Sequence, residues 1–118
     1  MKPPEIQKYL FDIAEACQLL ERFVSGRTLE QYAADPMLRS AVERQFEIIG
    51  EALHQALRTD PNLADRITDT RRIVAFRNRL IHAYASIADE VVWGVLEASL
   101  PVLRREVETL LKESEPGA

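Results

Sequence analysis

Apolar residues recur every three or four positions along most of this sequence, which is the spacing that places them on one face of an α-helix. The first such row predicts a helix from about Glu5 to Val24, with Gly26 just past its end as a C-terminal cap. Its apolar face consists of Ile6, Leu10, Ile13, Ala14, Cys17, Leu20 and Val24. The rows continue with few β-branched alternations and only four glycines, so the sequence predicts an all-α fold.

A second long helix is predicted to begin at Asp35-Pro36, where the aspartate caps the helix and the proline occupies its first turn. Residues 28–35 before it form a connector with at most a short turn. The helix should end near Arg58, because Thr59-Asp60-Pro61 repeats the capped-proline signal and starts another short turn. Gly50 in its middle costs about 1 kcal/mol relative to alanine, which indicates that another backbone approaches closely there. The apolar face consists of Leu38, Val42, Phe46, Ile49, Leu53 and Leu57, and Ile48 and Ala52 widen this stripe.

Two further helices complete the predicted bundle. Thr68 or Asp69 can cap a third helix that runs to about Ser86. Asp89-Glu90 can start a fourth, which extends to about Glu113. Proline at position 101 should kink this last helix, since proline lacks the N–H that helix interiors need.

The length of 118 residues fits one domain, and we expect residues 1–118 to form a single four-to-five-helix up-and-down bundle with a frayed tail at 113–118. No run of about 20 apolar residues and no cleavable signal is present, so we expect a cytoplasmic protein. Cys17 is the only cysteine, and no Cys/His cluster has zinc-ligand spacing. We therefore predict no metal site, and we interpret Cys17 as a buried apolar residue rather than a nucleophile.

Positive charge is concentrated in one segment of an acidic chain. Between residues 66 and 88, five arginines face a single aspartate, which gives +4 within a chain of net charge −4 and leaves −8 on the remainder. The arginines are Arg66, Arg71, Arg72, Arg77 and Arg79. Arginine at this density fits a strip that contacts phosphates, and it also fits a solvated helix face paired with acids of neighbouring helices. Charge alone leaves both interpretations open.

Helical geometry divides the third helix into two faces. At about 100° per residue, its apolar residues fall on one arc that should face the core. That arc contains Ile73, Phe76, Leu80, Ala83 and Ile87. The side chains of Arg77, Asn78, His82 and Tyr84 project together from the exposed side, which groups an arginine, an amide, an imidazole and a phenol.

This grouping suits RNA cleavage without a metal ion. The imidazole of His82 can accept a proton from a ribose 2′-hydroxyl or donate one to a departing 5′-oxygen. The charge of Arg77 would stabilise the phosphorane-like transition state, and Asn78 could orient the imidazole or bind a phosphate oxygen. Two-fold pairing of chains would bring a second histidine across the cleft. Taken singly, His82 also fits a surface or interface histidine and Tyr84 a half-buried packing residue.

Residues 77–84 resemble the signature of HEPN-domain ribonucleases, in which an arginine and a polar residue precede a histidine by a short spacer. The tyrosine two places after the histidine resembles the HepT toxin branch. Residues 46–52 resemble the second-helix motif of that family, and residues 91–93 with 100–103 resemble its last helix. Alanines 83 and 85 stand where family members often have glycine and an aromatic residue.

The resemblance implies a homodimeric helical bundle that acts as a metal-independent endoribonuclease, the toxin of a type VII-like toxin–antitoxin pair. Arg77 and His82 would be its catalytic residues, with Asn78 and Arg79 supporting phosphate binding and with no cofactor of its own. The partner would be a MntA-like antitoxin of the nucleotidyltransferase fold, which neutralises the toxin by transferring AMP from ATP to Tyr84. A phosphate on Tyr84 beside Arg77 would occupy the anion site meant for RNA.

A second function class is consistent with the same sequence. The chain could be a non-catalytic dimeric helical module that binds a nucleotidyltransferase-like protein and presents a substrate or nucleotide to it. The acidic remainder of the chain and the two alanines are consistent with this alternative. Toxicity that disappears in His82→Ala would separate the ribonuclease from the module.

Overall fold

Two long helices, each of more than 20 residues, form the centre of the fold. A computed structural model describes residues 4–82 and 87–114, and every regular element within them is helical, as predicted. Helix α1 spans Pro4–Val24, and it packs extensively against helix α3, which spans Pro36–Thr59. Their predicted apolar faces are buried except at Val24 and Leu57, which are partly buried. Hydrophobic periodicity therefore located the core of α1 and α3 correctly.

Local hydrogen bonds set the ends of these helices. Gly26, just past α1, has φ of 73°, in the left-handed region that glycine tolerates. The connector contains a short helix, α2 (Leu29–Ala34), whose first turn is closed by a capping box between Thr28 and Gln31. Asp35 accepts a hydrogen bond from the Leu38 N–H at 3.0 Å, which confirms it as the N-cap of α3.

A short 3-10 turn at Pro61–Asp65 leads to helix α4, Thr70–Ile81, whose N-cap is Asp69, one of the two residues predicted for that position. Asp69 precedes the helix with φ of 57° and makes no capping bond through its side chain. Thr68 instead donates from its backbone N–H (2.9 Å) and its hydroxyl (2.7 Å) to the Glu106 carboxylate. Asp69 therefore occupies the N-cap position as one of the two predicted residues, whereas a tertiary contact engages Thr68 and keeps it from capping the helix.

The end of α4 differs from the prediction. The helix ends at Ile81, and His82 is its C-cap, with its backbone N–H donating to the Asn78 carbonyl at 3.0 Å. The predicted end near Ser86 was therefore too late, since no glycine or proline marks the boundary in the sequence. Residues 83–86 lie outside the described part of the chain.

The last helical segment is continuous but changes its winding. Helix α5 (Asp89–Gly94) passes through a π-helical turn at Val95–Ser99 into helix α6 (Leu100–Ser114). In the wider turn the Leu100 N–H donates to the Val95 carbonyl, and Pro101 follows directly. A wide turn is one of the known responses of a helix to such an interruption, and it directly precedes the position of the predicted kink.

Helix α6 extends into the segment that was predicted to be a frayed tail. Ser114 is buried in its last turn, where its hydroxyl donates to the Leu110 carbonyl at 3.0 Å. Glu113 is helical as well, so these two residues belong to α6 rather than to the predicted frayed tail at 113–118. The remaining residues of that tail lie outside the described residues.

Helix α4 sits less deeply than the other long helices. It packs mainly against α3, where the Phe76 ring meets the Phe46 ring edge-on at 5.2 Å. Its apolar arc was predicted to face the core, but Ile73, Phe76 and Leu80 are only partly buried. Ile73 and Phe76 line a groove of about 650 Å³ that separates α4 from the α5–α6 segment.

Cys17 is fully buried in the core, and burial together with the nearby Glu21 carboxylate raises the pKa of its thiol to about 12. The thiol is therefore neutral, which agrees with a packing residue and not with a nucleophile. Within residues 4–82 and 87–114, no helix is long and apolar enough to cross a membrane.

Candidate active site on helix α4

Arg77 lies where α4 packs against α3, and its side-chain stem rests on Gly50. A Cβ added at Gly50 would lie 2.2 Å from the Arg77 Cβ and 2.6 Å from its Cγ, which is far closer than a Cβ approaches an atom that is not bonded to it. Only glycine therefore leaves room for the arginine at this crossing. A close approach at Gly50 is confirmed, but the nearest atoms belong to the side-chain stem of Arg77, a candidate catalytic residue, and not to a backbone as predicted.

Two acceptors hold the guanidinium of Arg77. Nη2 donates to Oε2 of Glu51, the residue that follows Gly50 on α3. Nη1 donates to Oδ1 of Asn78 at 2.8 Å. Nε is buried without a hydrogen-bond partner among the described residues, whereas the side chain as a whole remains 24% exposed. Each terminal nitrogen carries two N–H groups, so each retains one for a further acceptor.

His82 stands at the C-terminal end of the same helix, and its side chain is exposed. The imidazole makes no hydrogen bond or ion pair with any residue in the described ranges 4–82 and 87–114. Its backbone is tied to Asn78, whose side chain also contacts Arg77. Asn78 therefore links the two candidate catalytic residues, and the imidazole is open to a ligand.

The structure separates Arg79 from this group. Arg79 and Arg72 line the groove between α4 and α5–α6, whereas Arg77 lines a second cleft, of about 390 Å³, against α1 and α3. Arg79 is thus on a different side of α4 from Arg77, and its phosphate-binding role stays a prediction. The fourth member of the predicted grouping, Tyr84, lies outside the described residues.

The interpretation of the arginine strip as a helix face paired with acids is confirmed for two of its five arginines, and phosphate contact stays a prediction. Arg66 pairs with Glu113 at 2.6 Å, and Arg77 pairs with Glu51, as a helix face paired with neighbouring acids would. The other three arginines of the strip make no ion pair within the part of the chain that the structure describes. They are Arg71, Arg72 and Arg79. Unpaired positive charge therefore remains on α4 for a polyanion.

The cleft beside Arg77 combines charge with apolar surface. Tyr9 of α1, Ile48 of α3 and Ile81 of α4 contribute to its lining, and Ile81 is 44% exposed. Ile48 widens the apolar stripe of its helix beyond one core contact, and the structure leaves it partly buried at this cleft. Ile48, which widens the apolar stripe of α3, thus lies on the surface next to the candidate site.

Glu51 is the site residue to which the sequence assigned no role. It lies within the segment 46–52 and directly follows Gly50, so its position beside the predicted close approach was the available signal.

Among the described residues, no group of three or more His, Cys, Asp or Glu side chains could hold a metal ion.

Comparison with known proteins gives a consistent set of matches. Residues 13–110 match the family model described as HepT-like, ribonuclease HepT-like. A probable ribonuclease HepT of Thermococcus cleftensis is 36% identical over 104 residues, which cover 88% of this chain and 94% of the relative. A candidate RNase of Caldanaerobacter subterraneus subsp. tengcongensis is 29% identical, with coverage of 96% and 98%. No solved structure matches significantly.

Proposed function

Since the chain belongs to the HepT-like family of ribonucleases, we propose that it is an endoribonuclease whose catalytic residues are Arg77 and His82. The observation that carries the proposal is the state of these two side chains. The guanidinium is held in place by Glu51 and Asn78 and keeps N–H groups for an anion. The imidazole, at the end of the same helix, is exposed and without a partner among the described residues.

The chemistry of these groups defines the reaction. His82 accepts the proton of a ribose 2′-hydroxyl, and the 2′-oxygen attacks the adjacent phosphorus. The charge that develops on the phosphoryl oxygens is stabilised by the Arg77 N–H groups. The bond to the 5′-oxygen breaks as that oxygen takes up a proton, which leaves a 2′,3′-cyclic phosphate and a 5′-hydroxyl. Because the imidazole transfers the proton and the guanidinium stabilises the charge on the phosphoryl oxygens, the reaction needs no metal ion.

A second acid would donate the proton to the leaving oxygen while His82 accepts the proton of the 2′-hydroxyl, and one α4 supplies a single histidine. A homodimer would bring the partner's copy of this residue to the same cleft. The exposed Ile81 and the partly buried Ile48 beside Arg77 are apolar surface suited to such pairing. The mass of the protein in dilute solution, measured by light scattering, should equal two chains, whereas a monomer would refute the two-chain site.

We also propose that a partner protein regulates the ribonuclease. The chain is the toxin of a toxin–antitoxin pair in the cytoplasm, and an antitoxin of the nucleotidyltransferase fold transfers AMP from ATP to Tyr84. Coexpression with the partner should raise the intact mass in steps of one AMP unit, and Tyr84→Phe should stop the increase. An unchanged mass would indicate that the partner blocks the site by steric occlusion instead.

The ribonuclease and the non-catalytic module differ in two measurements. The purified protein should cleave RNA in the presence of EDTA, and its expression without the partner should arrest growth. His82→Ala should lower the cleavage rate by about 10² to 10⁴ and abolish toxicity, because it removes the acid–base group. Intact RNA with the wild-type protein, together with retained binding to the nucleotidyltransferase, would establish the module.

A further inference from the structure

We propose that Glu51 is a positioning residue for RNA cleavage, which holds the guanidinium of Arg77 in the orientation that receives the phosphate. The inference rests on the proposed ribonuclease function and assigns a role to a residue outside the predicted site. Glu51 contacts Arg77 through one carboxylate oxygen and need not contact RNA.

Consecutive residues of α3 specify both ends of the Arg77 side chain. Gly50 receives the Cβ and Cγ atoms, so the stem can leave α4 only along the surface of α3. Glu51 then binds Nη2 at the far end of the same side chain. A long side chain that is fixed at its stem and at its head loses little further freedom when substrate binds, which is the physical meaning of preorganisation.

The head of Arg77 is held from two directions. Glu51 takes one N–H of Nη2, and Asn78 takes one N–H of Nη1 at 2.8 Å, so the guanidinium plane cannot rotate freely. Nε is buried, which removes that edge from access to substrate. A phosphate is therefore limited to the remaining N–H groups of the two terminal nitrogens, and Glu51 and Asn78 determine where those groups point.

Two alternative roles for the ion pair fit the geometry less well. If Glu51 imitated a bound phosphate, its carboxylate would be expected to bridge both terminal nitrogens, but Nη1 is bound to Asn78 instead. If the pair served stability alone, its exposure would make it a weak device, since the Glu51 side chain is 47% exposed. Orientation of the guanidinium accounts for both observations.

The test compares the kinetics of Glu51→Ala and Glu51→Gln with those of the wild-type protein on a single-stranded RNA oligonucleotide. Glu51→Ala should lower kcat by about 10²-fold, because misplacing a catalytic group by about 1 Å has that effect, and should leave KM within about threefold. Glu51→Gln keeps an oxygen acceptor of the same shape and should retain an intermediate kcat. This variant also keeps the test informative if Glu51→Ala folds poorly.

Glu113→Gln is the matched control. It removes the same charge from another carboxylate that pairs with an arginine of the basic segment, Arg66, and its exposure of 45% is close to that of Glu51. Its kcat should stay within about twofold of wild type, because Arg66 lies before α4 and not at the candidate site. A similar loss in the control would show that net charge, not orientation, sets the rate, and would overturn the proposal.

A double-mutant cycle separates positioning from an independent effect of Glu51. In an Arg77→Ala background, Glu51→Ala should cause no further loss of kcat, since the group it orients is gone. A further loss as large as that in the wild-type background would overturn the proposal, as would a lower KM or a higher kcat in Glu51→Gln. Cleavage that depends on Arg77 but not on Glu51 refutes this inference alone, whereas absence of cleavage by the wild-type protein refutes the proposed function and this inference with it.

Discussion

Replacement of Gly50 by alanine sets two opposing effects against each other at the α3–α4 crossing. Alanine in a helix interior is favoured over glycine by about 1 kcal/mol, so the substitution would stabilise α3 if space allowed. The new Cβ, however, would lie 2.2 Å from the Arg77 Cβ and 2.6 Å from its Cγ, where ordinary contact begins at 3.4 Å. Because the Arg77 Cβ is fixed to the backbone, α4 itself must move away by about 1 Å.

Overpacking of this kind costs about 1–3 kcal/mol, which outweighs the gain in helix propensity or at best cancels it. We therefore expect Gly50→Ala to lower the free energy of unfolding by up to about 2 kcal/mol, measured by urea denaturation. The same displacement of Arg77 should reduce RNA cleavage by about 10²-fold. Loss of cleavage should exceed what the small change in folded fraction can explain.

Gly94→Ala provides the control, because a Cβ there would meet nothing within 4 Å. This variant gains helix propensity without a clash and should be more stable than wild type by about 0.5–1 kcal/mol, with unchanged cleavage. If Gly50→Ala is stabilised as much as Gly94→Ala and cleaves RNA at the wild-type rate, the close approach of Arg77 to α3 is refuted.

Three further substitutions test other parts of the structure. Because burial raises the pKa of Cys17, its thiol ionises in the unfolded chain at a lower pH than in the folded protein. Between pH 9.0 and about 12, the free energy of unfolding should therefore fall by about 1.4 kcal/mol per pH unit more in the wild-type protein than in Cys17→Ala. Equal slopes for the two proteins would show that the thiol is accessible. Tyr32→Phe removes a buried hydroxyl that has no partner among the described residues, so its melting temperature should not fall. Thr68→Val removes the hydroxyl bond to Glu106 and should cost about 1 kcal/mol in urea denaturation, with no change expected if that bond does not form.

The sequence predicted those parts of the fold that depend on neighbours along the chain. The cap at Asp35, the glycine after α1 and the apolar faces of α1 and α3 each follow from residues a few positions apart, and the structure confirms them. The choice between Thr68 and Asp69 as the N-cap of α4 depends instead on a distant contact. Thr68 is engaged by Glu106, which is 38 residues away, so no local rule could show that it does not cap the helix.

The candidate site divides in the same way. Arg77, Asn78 and His82 are close in sequence on one helix, so helical spacing predicted them as a group, and the structure shows the side-chain contact between Arg77 and Asn78. Glu51 is 26 residues from Arg77, and their contact depends on how α3 and α4 cross at Gly50. Charge density also grouped Arg79 with the site, whereas the groove between α4 and α5–α6 places it on another side of the helix.

RNA cleavage by this protein should depend on the positioned charge of Arg77 and not on the general positive charge of the chain. The single-turnover rate of RNA cleavage in EDTA separates these possibilities when Arg77→Ala is compared with Arg105→Ala, an exposed arginine of α6 outside the basic segment. We predict that Arg77→Ala loses about 10² to 10³ in rate, as expected for a group that stabilises transition-state charge, while Arg105→Ala stays near the wild-type rate. Equal rates for the two variants would show that Arg77 has no special role in cleavage.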